Sequence, residues 1–366
     1  MRVDSINPLV LADGDIAAWR SLLGADPNLT SPYFTPDWAQ FVARRRADTR
    51  VAIFRNEDGS AAGFLPVQRS SGYAALPAGG PVCDYQALVG PAGLDLSLAV
   101  SALDVGRIDF TAGLKDNALA PHLLTRDVGH IARFPSGWEA WCEERQASGS
   151  KVVARARKRL SKLIRDHDKG AVVIEPFSTD NHAFDELILW KREQMWRTGV
   201  TDIFERSWIN TLIRDTFASS DADPHFGGAL FVLRVNRRPA AALFCLRAQT
   251  ALHAWFVAHD RRYAEYSPDI ILFTEAMKAA AEIGYTEMDL GPGDYRFKEG
   301  FANAGRPVGA GFIGRAGFSS AARAAQFQVR ALVESLPVGR VRQWPAKAMR
   351  RLDIARGLRG SEDQAA

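Results

Sequence analysis

The sequence has few cysteines, no long apolar run and no G-x-S-x-G motif of the serine hydrolases. Its three cysteines, Cys83, Cys142 and Cys245, lack C-x-x-C spacing, so we expect buried free thiols and no metal site. No run of 18 apolar residues occurs, and residues 1–15 lack the basic start and apolar core of a signal peptide. These absences predict a cytosolic protein. The chain also has no G-x-S-x-G elbow, and its glycine-rich stretch at 291–301 fits neither the P-loop nor the G-x-G-x-x-G fingerprint, so nothing there points to a covalent serine nucleophile or a phosphate loop.

Positive charge is modest overall, with a formal net charge of +4, but it is concentrated in two segments. Residues 151–169 contain eight Lys or Arg against two Asp, and residues 316–360 contain nine against two acidic residues. Only these segments carry enough charge to attract an anionic partner, and we expect no DNA binding. The first segment has the pattern of a cationic helix, which suits contact with an RNA or an anionic glycan, or else a solvated connector.

The second basic segment begins with an amphipathic pattern. Its predicted apolar face is formed by Phe327, Val329, Leu332, Val333 and Leu336. Pro337 and Gly339 interrupt the pattern, and an Arg-rich stretch follows. This composition suits a helix on an anionic membrane face, a partner-docking helix or an Arg-rich site for a cyclic dinucleotide, and simple packing against the core is the alternative.

Two alternating apolar segments, at 51–68 and 231–248, each surround a turn and predict a β-hairpin. Each hairpin is followed by a strand-like stretch, a helix-like stretch and a short strand that ends in an acid and a glycine turn. The start of each hairpin precedes that acid, Asp109 or Asp289, by 58 positions, so the halves superpose at an offset of 180 residues. Helical stretches also precede both hairpins. We therefore predict one mixed α/β unit used twice.

The second half contains a well-marked helix start. Ser267 suits the N-cap, Pro268 suits the first turn and Gly284 suits the end of this helix. The free amides of its first turn lie beside a strand end, an arrangement that holds anionic groups. The next strand runs into GPGDYRFKEGF at 291–301, whose glycines predict a sharp exit from the strand.

These features resemble one family, the CelD-type branch of the GNAT acyltransferases, which is related to the Fem-type aminoacyl transferases built from two GNAT-like domains. The resemblance is carried by the strand ending in Asp260, by DLGPGDYRFKEGF, and by the stretches at 31–41, 80–90 and 189–204. It extends to about residue 315. One departure is Asp269, where many relatives carry glycine, because a negative side chain there fits poorly beside a pyrophosphate.

The resemblance implies two GNAT-like units in tandem and transfer of an acyl group from a thioester to an amine. Acetyl coenzyme A would be a co-substrate, with no permanently bound cofactor. A backbone amide between Trp255 and Ala258 would polarise the carbonyl, Tyr295 would protonate the leaving thiolate, and Lys298 would bind acyl or phosphate oxygen. The residues predicted to bind the coenzyme are Trp255, Val257, Ser267, Ile270 and Arg296.

The transfer also requires an amine that has lost its proton. The candidate bases are Asp289, Asp260, His253 and Glu193, and Asp289 is favoured because its strand end adjoins the glycine turn. Deprotonation through water is the alternative. The predicted acceptor-binding residues are Lys191 and Gln194 in the second half, and Tyr33, Trp38, Asp84 and Tyr85 in the first half.

We predict a GNAT-like domain at 1–168 that performs no chemistry, an acyltransferase domain at 169–315 and a basic tail at 316–366. The leading hypothesis is an N-acyltransferase that acetylates an amino sugar or other polysaccharide precursor, in the cytosol or at the inner face of the membrane. One alternative is a Fem-type transferase that uses aminoacyl-tRNA, which rests on the basic run at 151–169. Another is a noncatalytic regulator whose tail, at 316–360, binds a cyclic dinucleotide, a membrane or a partner.

Overall fold

The computed structural model describes residues 1–71, 73–219, 225–293, 296–336 and 344–359, and it describes only the backbone of Ser71, Lys169 and Arg296. The chain divides into two compact units. Unit 1 comprises Met1–Leu29, Tyr33–Asp127 and Pro307–Ala366, and unit 2 comprises Thr30–Pro32 and Val128–Arg306.

Twelve strands are described. In chain order they are β1 (Arg2–Ile6), β2 (Thr49–Arg55), β3 (Ala61–Ser71), β4 (Ala74–Pro77), β5 (Arg107–Leu114), β6 (Asp127–Arg133), β7 (Val172–Glu175), β8 (Phe226–Val235), β9 (Arg238–Ala248), β10 (Ala251–His259), β11 (Glu287–Pro292) and β12 (Ala304–Gly314).

The α-helices of the described residues surround these strands. They are α1 (Asp13–Ala25), α2 (Pro36–Arg45), α3 (Leu96–Ala102), α4 (Trp138–Ala147), α5 (Val152–His167), α6 (Asn181–Thr198), α7 (Ser207–Ala218), α8 (Pro268–Glu282), α9 (Arg296–Phe301), α10 (Phe318–Ser335) and α11 (Trp344–Leu358).

The two units repeat one sheet topology, which confirms the predicted duplication of a mixed α/β unit. The strand order is β1-β2-β3-β4-β5-β12 in unit 1 and β7-β8-β9-β10-β11-β6 in unit 2. In each unit the fourth and fifth strands are parallel, and the other pairs described are antiparallel. The predicted hairpins are β2–β3 and β8–β9. Asn236 and Arg237, both with positive φ, form the tight turn of the second hairpin.

The sixth strand of each sheet explains why the units divide differently from the predicted domains. In unit 1 this strand is β12, which follows unit 2 in the chain, and in unit 2 it is β6, which precedes the repeat. Helices α4 and α5 also pack on α8 of unit 2, and α5 buries Ala156 and Leu163. The units therefore change at 127–128 and 306–307, whereas the predicted domains change at 168–169 and 315–316.

Each unit has its own apolar core. In unit 1, Phe54, Leu65 and Phe110 pack with residues of α3. In unit 2, β8 and β9 are buried almost throughout their length, as expected for central strands with both faces covered. Helix α8 packs Met277 and its neighbours against this core. The buried thiols of Cys83 and Cys245 have raised pKa values because burial disfavours the thiolate, as predicted for structural cysteines.

The basic tail folds against unit 1 through polar contacts. Arg323 of α10 is 1% exposed and forms ion pairs with Asp109 of β5 and Asp353 of α11. Arg46, also buried, donates to the carbonyl oxygens of Gly357 and Arg359. The predicted apolar face of α10 is only partly covered: Phe327 is buried, whereas Val329, Leu332 and Leu336 are exposed, so core packing accounts for only part of that face. Pro337 and Gly339 lie outside the described residues.

Candidate active site

The central feature of unit 2 is a gap that opens between two parallel strands. β10 pairs with β11 only from Ala251–Glu287 to His253–Asp289, although β10 continues to His259 and β11 to Pro292. A bulge between Ala254 and Phe256 shifts the register of β10 on β9. Because bulges bend a strand and increase its twist, the bulge accounts for the divergence of the two strands. The predicted amide donors, from Trp255 to Ala258, lie in the half of β10 that runs beside β9 but has left β11.

Helix α8 starts at the wide end of the gap. Residues Arg261–Tyr266 form a 3-10 helix, and Pro268 occupies the first turn of α8, as predicted. Ser267 occupies the cap position but does not cap the helix with its side chain, so that part of the prediction was wrong. Its φ of 49° and ψ of 59° are left-handed, whereas a capping serine needs extended backbone to aim its hydroxyl at the first amides. Ile270 follows in the first turn and is half-buried.

A His–Asp pair that the sequence did not suggest lies beside this helix start. The Nδ1 atom of His259, at the end of β10, is 2.8 Å from Oδ1 of Asp269 in the first turn of α8. Both side chains remain partly exposed. The histidine therefore holds the carboxylate that departs from the family pattern. Ten residues separate the two, a spacing that matches no short motif, so only the three-dimensional arrangement brings them together.

The cationic helix α5 packs beside the same helix start. Arg159 donates to the carbonyl oxygen of Glu265, Lys162 forms an ion pair with the Glu265 carboxylate, and the Tyr266 hydroxyl donates to Asp166 at 3.1 Å. The exposed cations of this helix are Arg155, Arg157, Lys158, Arg159 and Arg165. Arg159 and Lys162 thus lie just before the start of α8, and both their charge and the free amides of the helix favour an anionic ligand.

Lys191 of α6 is the predicted acceptor residue that reaches the gap. Its Nζ atom donates at 3.3 Å to the carbonyl oxygen of Val257, in the half of β10 that has left β11. Trp255, half-buried in the same half-strand, stacks on Phe256. Gln194, one turn further along α6, is exposed. An ammonium group close to this half of β10 is positioned to interact with an acyl carbonyl that binds in the gap.

Asp289, the favoured base, is part of a buried charge cluster. It accepts from Arg306 at 2.6 Å and from the amide of Gly291 at 2.8 Å, and the His253 ring lies 3.7 Å away. Arg306 also donates to Thr30, whose hydroxyl donates to Glu287 at 2.5 Å. These contacts give Asp289 a clear structural role, since it anchors the glycine turn and neutralises a buried arginine.

The other predicted bases differ in accessibility. His253 is fully buried, whereas Glu193 is exposed on α6. Asp260 accepts from the side chain and the backbone amide of Arg262, and the first of these hydrogen bonds holds the pKa of Asp260 below its ordinary value. A carboxylate with a lowered pKa is a weaker base, so Asp260 is poorly suited to accept a proton from an amine.

The glycine turn has the sharp shape that the sequence predicted. Gly291 and Gly293 have φ values of 77° and 106°, which other residues rarely adopt. Lys298, on α9, is buried and donates to the carbonyl oxygens of Gly291 and Pro292 at 3.2 and 2.8 Å. Its ammonium therefore ties α9 to the turn.

The proposed roles of Lys298, Tyr295 and Arg296 remain predictions. Tyr295 and its neighbour Asp294 lie outside the described residues, and only the backbone of Arg296 is described. For Lys298, the structure gives a turn-binding role beside the predicted binding of acyl or phosphate oxygen.

The predicted acceptor residues of unit 1 lie mainly in its core. Tyr33, Trp38 and Tyr85 are buried, Tyr33 and Trp38 pack edge to face, and the Trp38 indole donates to the carbonyl oxygen of Ala78. The cavity that Tyr33 and Tyr85 line measures about 10 Å³, which is room for a single water molecule and not for a sugar. Asp84 is half-buried beside them.

The residues that the structure describes also bear on metal binding and on membrane insertion. No group of His, Cys, Asp or Glu side chains among them could hold a metal ion. Within the same part of the chain, no helix combines the length and the apolar character needed to cross a membrane.

The comparison with protein families matches unit 2. Residues 150–299 match the model of the acetyltransferase (GNAT) domain, which covers α5, the gap, α8 and the glycine turn. The match covers 150 of the 366 residues. It supports N-acyltransferase activity in unit 2, and a GNAT fold implies acyl coenzyme A as a co-substrate. No curated protein sequence matches the chain significantly.

Solved structures of similar fold extend over both units. FemX shares 12% identity and a TM-score of 0.54, over 85% of this chain and 96% of that chain. The tandem GNAT protein from the clavulanic acid biosynthesis pathway shares 10% identity and a TM-score of 0.50, over 87% and 99%. The C-terminal domain of a putative lysylphosphatidylglycerol synthetase from Agrobacterium fabrum shares 14% and 0.50, over 87% and 96%. At these identities the likeness establishes the fold, a tandem of GNAT-like units.

Proposed function

We propose that unit 2 transfers an acetyl group from acetyl coenzyme A to the amine of an amino sugar. The observation that carries the proposal is the gap between β10 and β11, because β10 pairs with β9 up to His259 whereas its pairing with β11 stops at His253, and an acyl group would enter on the β11 side. The amide donors of that half-strand would stabilise the oxyanion that forms when the amine attacks. Lys191, which already contacts Val257, would add a positive charge at the same place.

The reaction needs no covalent intermediate on the enzyme. The amine nitrogen bonds to the carbonyl carbon, and the carbon–sulfur bond then breaks to release the coenzyme as a thiolate. The amine loses one proton, and the thiolate gains one. Tyr295 is the predicted proton donor, and water is the simplest acceptor of the amine proton, since Asp289 is held by Arg306 and Asp260 has a lowered pKa.

The phosphates of the donor would lie at the start of α8, beside the cations of α5. The free amides of the helix and the exposed Arg155 and Lys158 favour negative charge there, whereas Asp269 opposes it. His259 offsets part of that opposition because it binds the Asp269 carboxylate. Two parts of the proposal rest on the resemblance to CelD-type proteins. These are an acceptor that belongs to polysaccharide synthesis and a location at the inner face of the membrane.

The test is an assay of thiol release from acetyl coenzyme A with glucosamine and other amino sugars as acceptors. We expect Lys191→Met to lower kcat/KM about tenfold to a hundredfold, since a charge-assisted contact to the oxyanion is lost. Lys278→Met, an exposed lysine on α8, is the matched control and should leave the rate unchanged. Absence of thiol release with every amino sugar would refute the proposed acceptor, and a normal rate in Lys191→Met would refute the role of that lysine.

A second candidate is transfer from an aminoacyl-tRNA, as in Fem-type proteins. Two features favour it. One is the five exposed cations of α5, and the other is Asp269, whose carboxylate lies at the start of α8, where the phosphates of coenzyme A would otherwise bind. Binding of charged tRNA should then weaken steeply with salt, and Lys158→Gln and Arg155→Gln should each reduce the slope of log K against log salt by about one unit or slightly less. Retention of the full slope in both variants would exclude α5 as the tRNA-binding surface.

A further inference from the structure

A cavity of about 710 Å³ lies in unit 1, where the tail meets the start of β5. It falls within the size range of small-molecule sites. Four arginines contribute to its lining, namely Arg107, Arg315, Arg323 and Arg356. All of its lining residues belong to unit 1, so this cavity is distinct from the gap between β10 and β11.

The charge of the lining is positive. Arg107 and Arg323 both pair with Asp109, and Arg323 and Arg356 both pair with Asp353. Three guanidinium groups therefore share two carboxylates, and Arg315 adds a fourth cation. Arg315 is exposed, and its described hydrogen bond is a long one, 3.5 Å, to the carbonyl oxygen of Ser101. Such a lining lowers the free energy of an anion, and arginine forks match the geometry of phosphate oxygens.

The N-terminus of α10 also faces this cavity. Residues Gly317–Ser320 line it, and no side chain caps the helix at Gly317. The hydroxyl oxygen of Ser320 is buried without a hydrogen-bond partner among the described residues. Uncapped amides and a hydroxyl with unused hydrogen-bonding capacity are groups that a phosphate would satisfy.

Two exposed aromatic rings complete the lining. Phe318 is 91% exposed and Tyr73 is 73% exposed, and both border the cavity. Exposed rings beside arginines are the arrangement on which planar bases stack while their phosphates are held. Inorganic phosphate would use the arginines but would gain nothing from the rings.

We infer that this cavity binds a nucleoside phosphate, a site separate from the acyl-transfer gap. The Arg107, Arg315 and Arg356 guanidiniums and the first amides of α10 bind the phosphates, and Phe318 and Tyr73 stack on the base. A cyclic dinucleotide and a mononucleotide share this chemistry. The inference does not depend on acyl transfer, because the binding itself is measured.

The test is calorimetric titration of the full chain with GTP, ATP, cyclic diguanylate and inorganic phosphate, and a sedimentation assay with phosphatidylglycerol vesicles. We expect at least one nucleotide to bind with Kd below about 0.1 mM, and inorganic phosphate to bind at least about tenfold more weakly. Arg315→Gln should weaken nucleotide binding about tenfold or more, and Arg351→Gln, an equal charge change on exposed α11 outside the lining, should not change it.

Phe318→Ala separates base stacking from phosphate binding. Because this ring is almost fully exposed, its removal should leave the fold intact and weaken nucleotide binding about fivefold or more, with no effect on inorganic phosphate. The inference is overturned if no nucleotide binds, if Arg351→Gln costs as much as Arg315→Gln, or if the vesicles bind and the nucleotides do not.

Discussion

Units 1 and 2 have the same strand order and even the same ionic contacts at corresponding places. Arg55, at the end of β2, binds Asp4 of β1 and Asp15 of α1. Arg234, at the end of β8, binds Glu175 of β7 and Asp180 at the start of α6. In both units an arginine therefore joins the hairpin to the first strand and the first helix. The two units therefore share this arrangement of one arginine and two acids in addition to their strand order.

The units differ where the fourth and fifth strands separate. In unit 1 a single glutamine occupies that place: the Gln86 side chain accepts from the amide of Thr111 and donates to the carbonyl oxygen of Asp109, and its backbone pairs with Ala112 and Leu114. In unit 2 the pairing of β10 with β11 ends at His253 and Asp289. The same scaffold thus closes its own gap in one copy and leaves a gap in the copy that matches the acetyltransferase domain.

A second difference lies in the buried acid at the corresponding positions Asp109 and Asp289. The residue two positions earlier is Arg107 in unit 1 and Glu287 in unit 2. Asp109 is paired with Arg107 and with Arg323 of the tail, whereas Asp289 and Glu287 share Arg306. Where Arg107 of unit 1 is replaced by Glu287 in unit 2, the buried acid also binds a different arginine. Asp109 binds Arg323 of the tail, and Asp289 binds Arg306 of β12.

The largest effect is expected from the buried arginines of these clusters. Arg306→Met should lower the free energy of unfolding by about 3–5 kcal/mol and abolish acyl transfer, because the buried Asp289 loses its cation and Glu287 keeps only the partly exposed Arg133. Arg323→Met should cost a similar amount in unit 1. Urea denaturation measures both, with Arg330→Gln as the control: this arginine of α10 is partly exposed and pairs only with Glu334 one turn along the helix, so we expect a change within about 0.5 kcal/mol. Equal stability of Arg306→Met and wild type would show that the cluster is not a structural tie.

Closure of the unit 1 gap is tested by Gln86→Ala. The substitution leaves the amide of Thr111 and the carbonyl oxygen of Asp109 without their side-chain partner, which should cost about 1–3 kcal/mol. The kcat/KM for acyl transfer should stay unchanged, since the chemistry is assigned to unit 2. Thermal unfolding and the thiol-release assay measure the two quantities. A variant with normal stability but impaired transfer would place part of the active site in unit 1.

Asp269→Asn tests the start of α8 as the phosphate site of unit 2. Removal of a negative charge from the first turn of α8 should lower the KM for acetyl coenzyme A about twofold to fivefold, with little change in kcat. Glu282→Gln, at the other end of the same helix, is the matched control. A raised KM in Asp269→Asn would mean that the His259–Asp269 pair helps donor binding, contrary to the sign predicted from charge.

The sequence predicted much of this comparison but not its decisive detail. The repeat of 180 residues, both hairpins and the boundaries of α8 follow from local periodicity and turn residues, which act over short distances. The Gln86 closure, the Arg323–Asp109 pair and the His259–Asp269 pair join residues that only tertiary packing brings together. The amphipathic pattern of α10 left open what covers its apolar face, because periodicity reports which residues share a face and not whether that face is covered.

The smallest effect concerns the pH dependence of the ionic contacts that both units share. The Arg234 hydrogen bond holds the pKa of Glu175 below its ordinary value, so Glu175 stabilises the fold above its unfolded pKa, about 4.3. That stabilisation is lost as pH falls through the lower, folded pKa. Because the pair is partly exposed, its contribution should stay below about 1 kcal/mol. Arg234→Gln should therefore be less stable than wild type at pH 7, and the difference should shrink towards pH 3 in urea titrations. A difference that is independent of pH would mean that Arg234 acts through packing and not through its charge.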